Sequence, residues 1–136
     1  MLKKRILFNI TEDWFFLSHF LSRALSAQKD GYKIYVCSNE TNKKRIIENY
    51  GIKFINLPYK RPNINPFYEI YILIRLILIV YKIKPDIVHN VALKPIIQGS
   101  LASSLLNVNA VVNAPVGMGY VFISKSLKAK LLKPIL

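Results

Sequence analysis

Short apolar runs alternate along the chain with segments whose apolar residues recur at helical spacing. The runs read RILFNI, YKIYVCS, IKFINLP, DIVHNVA and AVVNA. They are too short and too uniformly apolar to alternate between a solvent-facing side and a buried side. This pattern is typical of parallel strands that are covered on both faces. Strand and helix therefore succeed each other along the chain. This predicts an α/β fold with a doubly wound, Rossmann-like parallel sheet of strand order 3-2-1-4-5.

Helix boundaries are predicted by the residues that favour helix ends. After the first apolar run, helical spacing continues over residues 17–28, so a single helix is expected there, ended by Gly31. Thr41 is expected to cap the second helix and Gly51 to end it. Three more helices are expected over residues 65–84, 94–107 and 124–136, the last of them basic.

The helix expected over residues 65–84 requires a membrane test. Residues 67–83, FYEIYILIRLILIVYKI, are almost continuously apolar, but Glu69 and Arg75 interrupt them and they are shorter than a usual span. A spanning helix and a buried or interfacial helix both remain open. We expect the helix to pack on the sheet through Ile72, Leu76 and Ile79 and to touch a membrane surface at most.

Composition indicates one globular domain with an anionic partner. The 136 residues are 52% hydrophobic and carry 20 Lys+Arg against 7 Asp+Glu, a formal net charge of +13. An AT-rich codon bias explains such an excess equally well, and the charges are scattered, so nucleic acid is not expected. The lone Cys37 excludes an internal disulfide and fits a reducing cytoplasm. No Cys/His spacing resembles a metal site, so we expect no metal and no cofactor.

The stretch EDWFFLSH, residues 12–19, follows the first predicted strand. Ligands of doubly wound sheets bind beyond the carboxyl ends of the strands, so this stretch is expected at the mouth of a cleft. A structural interpretation competes with this one. Asp13 would cap the first helix by accepting a backbone N–H, and the aromatic residues would pack on the sheet.

Three segments carry a resemblance to a known family: EDWFFLSH, VHNVALKP and GMGYVF, after predicted strands one, four and five. Together with the order of the other segments, they resemble the amino-terminal half of family 4-like, GT-B glycosyltransferases of bacterial polysaccharide biosynthesis. The resemblance implies transfer of a sugar from a nucleotide-sugar donor to a polysaccharide or lipid-linked acceptor at the cytoplasmic face of the membrane. It also implies that this half holds the acceptor and that a second domain holds the donor.

The sequence departs from that family pattern in several places. Residues 1–136 are expected to form a single acceptor-side domain, incomplete at its carboxyl end, and no Asp or Glu follows Asp86 to replace the acidic pair of the donor half. Relatives often have a second histidine two residues after the first, but Val91 stands there. Glu12 and Asp13 occupy the place of paired glycines that approach a diphosphate, and carboxylates favour sugar hydroxyls over phosphate. Catalysis is therefore expected only with a separate donor-domain polypeptide.

The resemblance and the predicted cleft together suggest six substrate-binding candidates: Asp13, His19, His89, Lys94, Gly117 and Gly119. Each has a structural alternative, because a surface histidine, a core histidine or a turn glycine would also fit these positions. Lys94 stands at a helix start, where a cation gains nothing from the helix dipole, so we expect it to bind an anion. Two other functions stay open: a non-catalytic module that binds saccharide or lipid phosphate, and a small membrane-associated protein.

Overall fold

The computed structural model describes residues 3–60 and 65–115. Five parallel strands form one sheet of order β3-β2-β1-β4-β5, which confirms the predicted topology. The strands are β1 (Arg5–Glu12), β2 (Lys33–Asn39), β3 (Lys53–Asn56), β4 (Ile87–Val91) and β5 (Ala110–Ala114). Consecutive strands lie side by side except where the chain crosses from β3 to β4, so the order reverses between β1 and β4. Their carboxyl ends are therefore the place where a doubly wound sheet opens a ligand crevice.

Helices cover both faces of this sheet. They are α1 (Asp13–His19), α2 (Leu21–Lys29), α3 (Lys44–Asn49), α4 (Pro66–Ile83) and α5 (Leu93–Leu105). One apolar cluster joins the sheet to α1, α2 and α3 through Phe16, Ala24 and Ile47. A second cluster joins the other face to α4 and α5 through Leu76 and Ala102.

Strand β1 supplies both clusters because its side chains alternate between the two faces. Phe8 and Ile10 point to the α1–α3 layer, whereas Leu7 points to the α4–α5 layer. All three side chains are buried, and each such side chain stabilises the fold by roughly 2 kcal/mol. The polar Asn9 shares the face of Leu7, which places an amide inside the second layer.

The single helix predicted after β1 is wrong, because the structure has two helices divided at Phe20. Phe20 has φ −124° and ψ −7°, outside the helical range. Its ring is buried and lies 6.4 Å from the ring of Phe8. Burying this ring turns the chain between α1 and α2, and the Phe20 N–H still bonds to the carbonyl oxygen of Phe16 at 2.8 Å.

Helix α4 begins and ends where the sequence predicts. The Asn65 side chain accepts hydrogen bonds from the N–H groups of Phe67 (2.9 Å) and Tyr68 (3.4 Å), and Lys84 ends the helix in the left-handed conformation. Ile72 and Leu76 are fully buried and Ile79 packs against the same cluster, which confirms packing on the sheet. Among the residues that the structure describes, no helix is long and apolar enough to cross a membrane.

Candidate functional site

The turn from β1 into α1 is held by the carboxylate of Asp13, whose side chain is fully buried. Its Oδ2 accepts hydrogen bonds from the backbone N–H groups of Thr41 (2.7 Å) and Lys43 (3.0 Å), and its Oδ1 accepts one from the Thr41 hydroxyl. Charge-assisted bonds of this kind are the stronger ones in proteins. Asp13 therefore ties the start of α1 to the loop that leads into α3.

Two predicted helix caps are wrong for the same reason. Glu12 occupies the N-cap position of α1 and no side chain caps that helix, because the Asp13 carboxylate reaches across to residues 41 and 43. Thr41 does not cap α3, which has Lys43 at its N-cap, because the Thr41 hydroxyl bonds to Asp13. The substrate-binding role of Asp13 stays a prediction, and its oxygens already have partners inside the protein.

Aromatic side chains form a continuous cluster from the surface at α1 into the α1–α3 layer. Trp14 is 44% exposed and its ring lies 5.6 Å from that of Phe15. The exposed imidazole of His19 stacks on Phe15 with 4.2 Å between ring centroids. Phe15 in turn lies 6.3 Å from Phe20. We call Trp14, Phe15, His19 and Phe20 the aromatic wall.

His89 lies beneath this wall. It stands opposite Phe8 in the β4–β1 register, stacks on the Phe8 ring at 5.0 Å and meets the Phe20 ring edge-on at 5.5 Å. Burial, and next the positive charge of Arg23, lower the pKa of the imidazole below its usual value, so the neutral form is favoured. Its Nε2 is buried, and no hydrogen-bond partner lies within reach in the described part of the chain.

A row of side-chain amides crosses the opposite face of the sheet. Asn9 Nδ2 donates to Asn90 Oδ1 at 2.9 Å and to the Pro95 carbonyl oxygen at 3.2 Å, and Asn90 Nδ2 donates to Asn113 Oδ1 at 3.0 Å. The Tyr59 hydroxyl donates to Asn9 Oδ1 at 2.7 Å. We call Asn9, Asn90 and Asn113 the asparagine row. Because it bonds to Pro95, the row fixes the first turn of α5 to β1.

Lys94 and Glu69 join α5 to α4 beside that first turn. The Lys94 ammonium lies 3.4 Å from Glu69 Oε2 and donates to the carbonyl oxygen of Lys60. Gln98, one turn further along α5, donates to the carbonyl oxygen of Glu69 at 3.0 Å. Both charged side chains are about a quarter exposed, so the pair contributes at most about 1 kcal/mol. The anion-binding role predicted for Lys94 stays a prediction beside this structural one.

The structure therefore divides the predicted residues between the two faces of the sheet. His19 and His89 join through Phe15 and Phe20 on the α1–α3 side, while Lys94 meets α4 on the other side. Asp13 begins α1 and bonds to the loop before α3. Gly117 and Gly119 fall outside the described residues. No group of three or more His, Cys, Asp or Glu residues is placed to hold a metal ion within residues 3–60 and 65–115.

The asparagine row and the Lys94–Glu69 pair were missed in the sequence. The strand sequences do contain one signal of the asparagine row. Asn9 in RILFNI and Asn90 in DIVHNVA interrupt otherwise apolar runs, and a buried amide requires a hydrogen-bond partner. Two such interruptions in neighbouring strands of the predicted order would have suggested that the amides pair.

A comparison with protein families shows which family the chain belongs to. The family model described as glycosyl transferase 4-like matches residues 5–136, nearly the whole chain. The chain belongs to the glycosyl transferase 4-like family. This confirms the resemblance seen in the sequence, and the residues described above are those of a glycosyltransferase-like domain. No curated protein matches the sequence significantly.

Solved structures share the fold of this glycosyl transferase 4-like chain. MurG of Acinetobacter baumannii matches at TM-score 0.64 with 17% identity, over 81% of this chain and 34% of that one. A glycosyltransferase of Rickettsia africae matches at TM-score 0.64 with 16% identity, over 93% and 35%. A UDP-GlcNAc 2-epimerase of Neisseria meningitidis, bound to UDP-GlcNAc, matches at 0.60 with 18% identity, over 80% and 31%. The chain spans about a third of each of these proteins.

Proposed function

We propose that the chain is the acceptor-binding half of a glycosyltransferase that acts on a polysaccharide or lipid-linked saccharide. The family match supports the reaction class. The observation that carries the acceptor role is the aromatic wall, which presents exposed Trp14 and His19 on α1, the helix that begins where β1 ends. Crevices of doubly wound sheets open at this edge.

The wall has the chemistry that a sugar requires. An exposed indole offers a flat apolar face to the C–H side of a pyranose ring, and the imidazole of His19 can donate or accept a hydrogen bond with a hydroxyl. His89 forms the floor behind the wall. Because its pKa is lowered, it stays neutral at neutral pH and adds no charge beside Arg23.

A nucleotide-sugar donor is proposed to bind elsewhere. The turn from β1 into α1 holds Glu12 and Asp13, which would repel a diphosphate, and Asp13 is already bonded to residues 41 and 43. We propose that a donor-binding domain completes the enzyme. One structural relative was solved with UDP-GlcNAc bound, which is consistent with a donor of that class.

Intrinsic fluorescence tests the acceptor role, since Trp14 is the single tryptophan of the chain. The full chain is titrated with methyl glycosides of glucose, galactose, rhamnose and N-acetylglucosamine. We expect at least one glycoside to change the emission saturably, whereas UDP leaves it unchanged. His19→Ala is expected to weaken that binding by roughly tenfold, as expected when one hydrogen bond of about 1.4 kcal/mol is lost.

A matched control separates sugar binding from loss of fold. Tyr50→Ala removes an aromatic side chain of similar exposure at the end of α3 and is expected to bind as the wild type does. Adding the donor-binding half of a related glycosyltransferase in trans then distinguishes an enzyme half from a binding module, because only the former restores sugar transfer. Unchanged emission with every glycoside would contradict the acceptor role.

A further inference from the structure

A cavity lies at the opposite edge of the sheet from the aromatic wall. It has a volume of about 590 Å³ and lies between the last turns of α4 and the first residues of β1 and β3. Four of its nine lining residues are cationic and none is acidic: Arg5, Lys53, Arg75 and Lys82, with Tyr35, Ile55, Leu78, Ile79 and Ile83. The cavity therefore combines positive charge with an apolar lining.

The two guanidinium groups bond to neutral partners, and neither forms an ion pair within residues 3–60 and 65–115. Arg5 Nη1 donates to the carbonyl oxygen of Ile83 at 2.7 Å, and the Asp86 carboxylate accepts from the backbone N–H of Arg5 at 2.8 Å. Arg75 donates to the carbonyl oxygen of Asn56 and to the Tyr71 hydroxyl, each at 3.1 Å. These bonds hold both guanidinium groups at the cavity, where each keeps its full charge and further N–H donors.

An apolar face of α4 continues from this cavity along the outside of the molecule. Ile70, Ile74, Leu78 and Tyr81 follow each other at helical spacing and are between 52% and 64% exposed. They extend over roughly 16 Å of helix. Leu78 belongs both to this outer face and to the cavity lining. Tyr81 within this face and Tyr71 beside it carry hydroxyls, and such amphipathic rings suit an interface between water and lipid.

The combination of a cationic cavity with an exposed apolar face narrows the class of ligand. A free anion would be bound by the cations but would gain nothing from exposed isoleucine and leucine. An apolar partner protein would gain nothing from the four cations of the cavity. We propose that this face of α4 docks on an anionic phospholipid surface, with a lipid phosphate in the cavity and the outer apolar face at the acyl boundary. This docking surface is separate from the aromatic wall and does not depend on the acceptor role.

Vesicle co-sedimentation of the full chain tests the docking. Vesicles of equal parts phosphatidylcholine and phosphatidylglycerol are compared with vesicles of phosphatidylcholine alone. We expect binding to the mixed vesicles only, weakened at least about tenfold in K53Q/K82Q, since each surface cation contributes about 1 kcal/mol. The matched control K29Q/K44Q removes the same charge from exposed positions on α2 and α3 and is expected to change the partition far less.

Substitutions without charge test the apolar half of the proposal. I74Q/L78Q on α4 is expected to weaken binding by at least about tenfold, whereas I97Q/L101Q, which alters residues of similar exposure on α5, is expected to bind as the wild type does. Equal loss in K53Q/K82Q and K29Q/K44Q would overturn the proposal, because binding would then follow net charge alone. Calorimetric binding of glycerol 3-phosphate as tight as that of mixed vesicles would overturn it too, as would a dimer that I74Q/L78Q dissociates.

Discussion

The carboxylate of Asp13 is bonded to Thr41, 28 residues away, through both a backbone N–H and a hydroxyl. Asp13→Ala is expected to lower the free energy of unfolding by about 3 kcal/mol, because three charge-assisted hydrogen bonds to a fully buried carboxylate are lost. Urea denaturation measures the loss, and hydrogen exchange at the Thr41 and Lys43 amides localises it. Asp30→Ala removes an exposed carboxylate at the end of α2 and serves as the control. Equal stability of the two variants would contradict this assignment.

The lowered pKa of His89 predicts a stability that depends on pH. In the unfolded chain the imidazole takes up a proton at a higher pH than in the folded chain, so the unfolded state binds more protons over that interval. The free energy of unfolding is therefore expected to fall as the pH drops below about 6.5, until the folded form is protonated as well. His89→Phe keeps the ring stacked on Phe8 and is expected to flatten this part of the profile. Urea unfolding from about pH 5 to pH 8 checks it, and an unchanged slope would refute the assignment.

Gly99 is expected to tolerate no side chain. A Cβ there would lie 1.8 Å from Asn90 Oδ1 and 2.8 Å from Asn9 Nδ2, and these amides are held by their own hydrogen bonds. Gly99→Ala is therefore expected to destabilise the fold by about 3 kcal/mol, despite the better helix propensity of alanine. Ser104→Ala, at an exposed position of the same helix, is expected to stay within about 0.5 kcal/mol of the wild type. Thermal unfolding of both variants decides the question.

Ala92 turns the chain from β4 into α5 with φ 79° and ψ 165°, a conformation that suits glycine. Relief of this strain, less the added flexibility of glycine in the unfolded chain, is expected to stabilise Ala92→Gly by about 1 kcal/mol. Ala102→Gly, inside α5, is expected to do the opposite. A lower melting temperature for Ala92→Gly than for the wild type would count against strain at this turn.

The sequence predicted what depends on local patterns. Apolar runs gave the strands and their order, and the spacing of Ile72 and Leu76 identified the buried face of α4. These features follow from burial, which each segment encodes by itself. The strand that contains His89 was also predicted correctly, from the apolar run DIVHNVA.

What was missed depends on partners far away in the chain. Asp13 looked like a helix cap because its neighbours favour one, but its hydrogen bonds go to residues 41 and 43. Helix α1 ends early because Phe20 packs on Phe8 across the layer, which helical spacing alone does not reveal. The pairing of Lys94 with Glu69 requires two helices to meet and has no local signature.

Cys37 lies next to the asparagine row, and its Sγ donates to Asn9 Oδ1 at 3.5 Å. The thiol is fully buried in the middle of β2, and burial raises its pKa far above the usual value. A thiol reagent can reach it only when β2 separates from the α4–α5 layer, and no other cysteine in the sequence adds background. The chain thus contains its own reporter of opening: the labelling rate of Cys37, followed at increasing urea, measures how often the sheet is exposed in otherwise native protein.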